Sequence, residues 1–134
     1  MAYGFNTDKG KVAVEGYKTL WTNTSPTSAF SAKQITLSES MFNFDFLRIR
    51  YGTNTSADSA ILFFDVNLSN DDDETATLFY IDMLKIYGRD INYHSNTSVY
   101  IDNCIAIDFN SITSSSTDNS KLIPLKIYGV KLGW

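Results

Sequence analysis

Residues 75–109 constrain the fold more than any other stretch, because their apolar side chains recur at every second position over two long runs. In the second run, Val99, Ile101, Ile105, Ile107 and Phe109 share one parity. Tyr100, Asp102, Ala106 and Asp108 share the other, with Asn103 and Cys104 as the exceptions on their faces. Alternation of period two describes a strand with one face in a core and one near water. In the first run, Leu78, Tyr80, Leu84 and Ile86 fall on one parity and Phe79, Ile81, Met83 and Tyr87 on the other. A strand apolar on both faces is central in a sandwich or covered by another subunit. Tyr93-His94-Ser95-Asn96-Thr97 lies between the runs as a polar turn. The expectation is a long hairpin whose first arm runs unbroken over residues 75–93.

The rest of the chain uses the same vocabulary. Its 15 Ser, 13 Thr and 11 Asn stand against only 3 Glu, and its apolar residues are largely aromatic or β-branched. These types favour strands and turns over helices. No window carries a clean helical stripe, so the predicted class is all-β. With 134 residues the chain can bury one core unaided. Residues 1–15 read as a flexible lead-in or attachment segment and 16–134 as a single domain.

Within that domain the predicted strands cover 17–22, 33–37, 42–51, 60–66 and 121–132, spaced by turn signals. Tyr17, Thr19 and Trp21 share a face of the first. In 42–51, Phe42, Phe44 and Phe46 hand over to Leu47, Ile49 and Tyr51 on the opposite parity, the signature of a bulge or of a strand changing sheets. Pro124 places the last strand at an edge or a bulge. The Ser- and Thr-rich tract 111–120 reads as an exposed mobile loop. The architecture expected is an antiparallel β-sandwich, jelly-roll-like. Leu84-Lys85-Ile86-Tyr87-Gly88 echoes Leu125-Lys126-Ile127-Tyr128-Gly129 and, loosely, Leu47-Arg48-Ile49-Arg50-Tyr51-Gly52, but the flanks differ and no repeat architecture is implied.

The chemistry-bearing inventory is thin. A net charge of −4 with scattered basic residues argues against nucleic acid. No apolar run reaches transmembrane length and the first residues lack a signal peptide's regions, so neither membrane insertion nor secretion is expected. The Asn-X-Ser/Thr tripeptides at Asn23, Asn54, Asn67 and Asn96 are then chance products of composition. Cys104 is alone and reads as a small buried hydrophobe. One histidine, His94, and one distant cysteine cannot build a tetrahedral metal site or a convincing nucleophile–base pair. Asp45, Asp65, Asp82, Asp102 and Asp108 lie in strands and could pair for glycoside hydrolysis, although the usual acid, Glu, is nearly absent. Asp71, Asp72, Asp73 and Glu74 could ligate calcium but lack the spacing of a helix–loop–helix calcium loop, and read as a solvated loop. No cofactor or metal is expected. Carbohydrate recognition remains, since 8 Tyr, 9 Phe and 2 Trp accompany many hydroxyl and amide groups.

One resemblance sharpens this. Tyr17-Lys18-Thr19-Leu20-Trp21-Thr22-Asn23-Thr24-Ser25-Pro26-Thr27-Ser28-Ala29-Phe30, continuing to Gln34-Ile35-Thr36-Leu37-Ser38, resembles a segment of structural proteins of tailed bacteriophages. Asp45-Phe46-Leu47-Arg48-Ile49 and Ile123-Pro124-Leu125-Lys126-Ile127-Tyr128-Gly129 resemble later strands of such proteins. The resemblance implies a β-sandwich module of the virion, of the tail-fibre, baseplate or head-fibre kind. Such modules are often trimeric, contact other virion proteins and meet the host surface. It supplies no residue-level binding motif. The expectation is therefore a non-enzymatic virion protein, a homotrimer, adhering to a bacterial surface glycan. The rivals are a purely structural decoration or cap protein, and a small polysaccharide-degrading enzyme.

Recognition in a sandwich usually sits on loops at one end. The loop candidates are Asp71, Asp72 and Asp73 in one and Ser114, Ser115, Ser116 and Asp118 in the other, opening at the same end if 75–93 is one strand. Trp21 and Phe30 are expected as core anchors around the Pro26 loop.

Overall fold

The computed structural model describes residues 3–7, 10–68 and 75–132. Ten strands follow in order: β1 (Tyr3–Thr7), β2 (Gly10–Thr22), β3 (Lys33–Thr36), β4 (Phe46–Asn54), β5 (Ile61–Asn67), β6 (Thr75–Asp82), β7 (Lys85–Ser95), β8 (Ser98–Asp108), β9 (Ser111–Thr117) and β10 (Lys121–Leu132). They form two antiparallel sheets packed face to face, an all-β sandwich. Sheet I has the order β1-β2-β10-β4-β5, and sheet II has β3-β8-β7-β6 with β9 also on β8. Both β3 and β9 use the same edge of β8, β3 against Val99 and Ile101 and β9 against Ile105 to Ile107. The chain crosses between the sheets at β2–β3, β3–β4, β5–β6 and β9–β10.

Alternation places Leu47, Ile49 and Tyr51 of β4 and Ile123 and Ile127 of β10 on the inner face of sheet I. Leu78, Tyr87, Ile91, Tyr93, Val99 and Ile101 line the inner face of sheet II. Removing each such side chain from water is worth about 1.5–3 kcal/mol, which holds the sheets together. Met41, fully buried, plugs the core from a short 3-10 turn (Met41–Asn43). That turn explains the change of parity near Phe46. The chain there is not a bulged strand; a turn ends and β4 begins with a fresh phase. Trp21 and Phe30 meet edge to face at 6.2 Å, with Phe30 buried in the core and Trp21 partly so, as core anchors should. Trp21 does not share a face with Tyr17 and Thr19, which are exposed, because a bulge opposite Ile127 and Tyr128 skips Leu20.

Pro124 sits at a bulge in β10, which is a central strand and not an edge. Its carbonyl accepts from the Asn23 side chain at 2.8 Å, and the Asn23 N–H donates to Leu125 at 2.9 Å, so the distorted ladder is rebonded from outside. The echoed Gly129 has a direct steric reason. A Cβ there would lie 2.4 Å from the Phe44 ring.

Three expectations fail on sheet II. The stretch 75–93 is not continuous; the chain turns at Met83 and Leu84, and β6 folds back on β7 with Asp82 opposite Lys85. Met83 takes φ 53, a left-handed conformation that a side chain of its kind rarely adopts and that no glycine, Asn or Asp advertises. As a result β6 starts, at Thr75, at the opposite end of sheet II from the turn joining β8 to β9. The tract 111–120 is not a mobile loop either, since β9 pairs with β8 and leads into a turn at Asp118. Finally, the parity of β8 reverses in mid-strand. Val99 and Ile101 are buried, but beyond them Cys104 and Ala106 point inward, while Ile105 is 39% exposed.

The reversal is a bulge, where Asp102 and Asn103 of β8 stand against the single residue Asp90 of β7, between the pairs Ile101–Ile91 and Cys104–Arg89. A polar hub replaces the interrupted ladder. Arg89, 1% exposed, donates to the carbonyls of Phe30 at 2.9 Å, Asp102 at 2.7 Å and Lys121 at 3.0 Å. Asn119 accepts from the Cys104 N–H and donates to Asn103 Oδ1, both at 2.9 Å, and Asn103 Oδ1 also accepts from Ala32 N–H. Leu122, beside the Lys121 carbonyl, is held at φ 51, a strain of about 1–2 kcal/mol. The hub thus ties β7, β8, the β2–β3 crossing and β10 to one side chain. Burial lowers the Arg89 guanidinium to about 10 and pushes the Cys104 thiol up to about 11.

Candidate binding face on the outside of sheet I

The outward positions of four neighbouring strands build an open depression of about 540 Å³. From β4 come Arg48 and Arg50, from β5 Phe63 and Asp65, from β10 Tyr128 and from β2 Tyr17. The register decides who meets whom. Arg48 lies opposite Asp65 on one side and Tyr128 on the other, and Arg50 lies opposite Phe63 and Lys126. Arg48 grips Asp65 with two hydrogen bonds, Nε to Oδ1 at 2.8 Å and Nη2 to Oδ2 at 3.1 Å, the fork geometry that suits a guanidinium to a carboxylate. It also stands 5.5 Å from the centre of the Phe46 ring.

Tyr17 and Tyr128 meet edge to face at 5.3 Å, which fixes both rings while leaving Tyr17 59% exposed. Phe63 is 57% exposed across the depression. Arg50 differs from Arg48: no hydrogen bond or ion pair from it is present among the described residues, and its Nε is closed off from water. Chemically, this face offers aromatic planes, one carboxylate already engaged, and a cationic fork with nothing to hold.

The outside of sheet II is of another kind. A smaller hollow of about 300 Å³ lies among Thr77, Phe79, Ile86, Ile105 and Ile107, with Asp90 tied to Thr77 at 2.7 Å. Phe79 and Ile81 are 63% and 62% exposed, and the β6–β7 turn presents Met83 at 89%.

The residues singled out from sequence lie elsewhere. Ser114, Ser115 and Ser116 are exposed on β9, at the edge of sheet II. Asp118 has a structural task, its carboxylate accepting from the Ser120 N–H at 3.2 Å and from the Ser120 hydroxyl. Neither group lines the depression on sheet I. Asp71, Asp72 and Asp73 lie outside the described residues. The five aspartates expected in strands do not assemble: Asp65 is held by Arg48, Asp45 precedes β4 and accepts from Leu132 N–H at 2.6 Å, Asp82 ends β6 opposite Lys85, and Asp102 and Asp108 accept from the backbone N–H groups of Asn103 and Asn110. Among the described residues no three His, Cys, Asp or Glu side chains gather as metal ligands, and no helix is long and apolar enough to cross a membrane.

What sequence reasoning missed was the outward parity of β4. Arg48 and Arg50 are two residues apart, as are Phe63 and Asp65, so the pattern was present. Nothing in the sequence said that β4 lies between β5 and β10. The echoed segments supply a clue in retrospect, since Lys126 of one lies opposite Arg50 of another. No protein-family model matches the chain, and no curated protein sequence matches it.

Proposed function

We propose that the chain is a non-enzymatic adhesion module of a bacteriophage particle that binds a bacterial surface glycan on the outer face of sheet I. The observation that carries this reading is the depression itself, where Tyr17, Phe63 and Tyr128 stand beside Arg48, Arg50 and Asp65 on rigid strands. Sugar rings stack on exposed aromatic planes, and their hydroxyls bond to charged groups held in place; strands hold such groups more firmly than loops do. The virion assignment rests on the sequence resemblance at both ends of the domain. The test is a glycan array probed with the full chain, together with immunogold localisation on virions of a phage encoding it. Binding to surface polysaccharide and label at a fibre or spike support the proposal; absence of either removes that half of it.

A second reading has its own observation. Phe79, Ile81, Met83, Leu84 and Phe109 form an exposed apolar surface on and beside the outside of sheet II. Surfaces of this kind mark contacts with other chains. In this reading they meet further copies, as a trimer, or other virion proteins, and the chain serves as a decoration or cap. The two readings use opposite faces and are compatible. Light scattering at micromolar concentration should give three times the chain mass, and Ile81→Asp with Met83→Asp should return it to one. A monomeric wild-type protein would count against the trimer.

A further inference from the structure

Building on the glycan-binding reading, we infer that the saccharide is acidic, with its anionic group taken by Arg50 and its ring laid against Tyr17, Tyr128 and Phe63. Three cations, Arg48, Arg50 and Lys126, share this part of sheet I with one carboxylate, Asp65, in a protein whose overall charge is −4. Arg48 takes both oxygens of that carboxylate. Arg50 faces Lys126 across one strand pair and Phe63 across the other, so its neighbours in the ladder are a like charge and an aromatic ring. Like charges directly opposite are unfavourable in a sheet. A local excess of positive charge on an acidic protein is a focusing feature for anions.

The state of the Arg50 side chain adds to this. Its Nε is already cut off from water and bonded to nothing among the described residues. Part of its desolvation cost has therefore been met in folding, and a planar anion gains a partly prepared fork. The neighbouring strands set the reach. Arg50 on β4 and Tyr17 on β2 are separated by β10 and by four residues of register, since Tyr17 is level with Phe46, which puts their backbones about 16 Å apart at the usual strand dimensions. That span and the volume of about 540 Å³ suit a short stretch of saccharide with the charge at one end and a ring on the tyrosines. Carboxylate and phosphate present the same chemistry to a guanidinium, and both occur on polysaccharides. A single-stranded nucleic acid also combines phosphate with stacking, but it needs a track of cations along its length, and among the described residues the cations lining the depression are Arg48 and Arg50, with Lys126 next to Arg50 in the ladder.

The experiment is calorimetric titration of the full chain with polygalacturonate and with poly(glycerol phosphate) carrying sugar substituents. Carboxyl-reduced polygalacturonate serves as the neutral partner and a ten-residue oligothymidylate as a competitor. An acidic polymer should bind at least about 10-fold more tightly than its neutral partner, the order of one charge-assisted hydrogen-bonded pair. The preference should shrink with salt. Arg50→Gln should abolish the preference and leave the melting temperature unchanged. The acidic polymer that binds identifies carboxylate or phosphate as the group recognised. Equal binding of acidic and neutral forms would overturn the acidic ligand while leaving glycan binding in place. Tighter binding of the oligothymidylate than of either acidic polymer would overturn both, as would failure of every saccharide on this panel and on the glycan array. An acid preference that survives Arg50→Gln would overturn the role given to Arg50.

Discussion

Arg89 and Arg50 each project from a strand, and each has an Nε closed off from water without a hydrogen-bond partner. Their remaining nitrogens differ. Arg89 places its other nitrogens on three backbone carbonyls from three parts of the chain, and nothing of it is left for a ligand. Arg50 makes no polar contact among the described residues and lines an open depression. The first is a cation used as a structural tie, at a point where the β7–β8 ladder is interrupted and carbonyls need donors. The second contributes little to the fold and is free to act on something outside it. A buried guanidinium bonded through its Nη groups and a half-buried one with no polar contact among the described residues carry opposite functional meaning, although both are arginines in strands.

The largest expected effect breaks the structural half of this contrast. Arg89→Ala should cost about 3–5 kcal/mol in urea unfolding, because it orphans three buried carbonyls and leaves a cavity among tightly packed strands. Arg89→Met, which fills the space but donates nothing, should lose about 1–3 kcal/mol. Equal losses for the two would assign the tie to packing alone.

A smaller effect comes from pH. The folded protein keeps the Cys104 proton up to about 11, chiefly through burial, whereas an unfolded thiol releases it near 9. The folded state binds more protons between those values, so stability falls as pH rises from 9 to 11, by on the order of 2 kcal/mol. Arg89 works the other way. Its folded value of about 10 lies below that of an ordinary guanidinium, so its contribution rises with pH only above 10. Cys104→Ala should flatten the decline that begins at pH 9, and a decline unchanged by that substitution would locate it in other groups.

The smallest effect sharpens the other half. Arg50→Met should change stability by no more than about 0.5 kcal/mol, as surface substitutions away from tied networks do. A loss approaching that of Arg89→Met would mean that Arg50 is structural after all.

The sequence carried the class of fold and most strand positions, because alternation survives wherever a strand keeps one phase. It misled wherever phase was reset. Asn103 and Cys104, the two misfits in the longest alternating run, mark the bulge that turns Ile105 outward and Cys104 inward. The Met83 and Leu84 turn was invisible because its residues are apolar and one of them is strained into a left-handed conformation. The strand β9 was hidden by a Ser- and Thr-rich composition that is satisfied by pairing along an edge. The candidate face on sheet I was illegible for a different reason. It is assembled from Tyr17, Arg48, Arg50, Phe63, Asp65 and Tyr128, which only the order of strands in sheet I brings together.

The most direct test of the account is residue-resolved nuclear magnetic resonance of the full chain, titrated with the saccharide that binds most tightly in calorimetry. Amide shifts should concentrate on residues 48–50, 63–65, 17 and 128, with the Arg50 side-chain resonance moving and that of Arg89 unmoved. Shifts centred on residues 114–118, or on the outer face of sheet II, would contradict it.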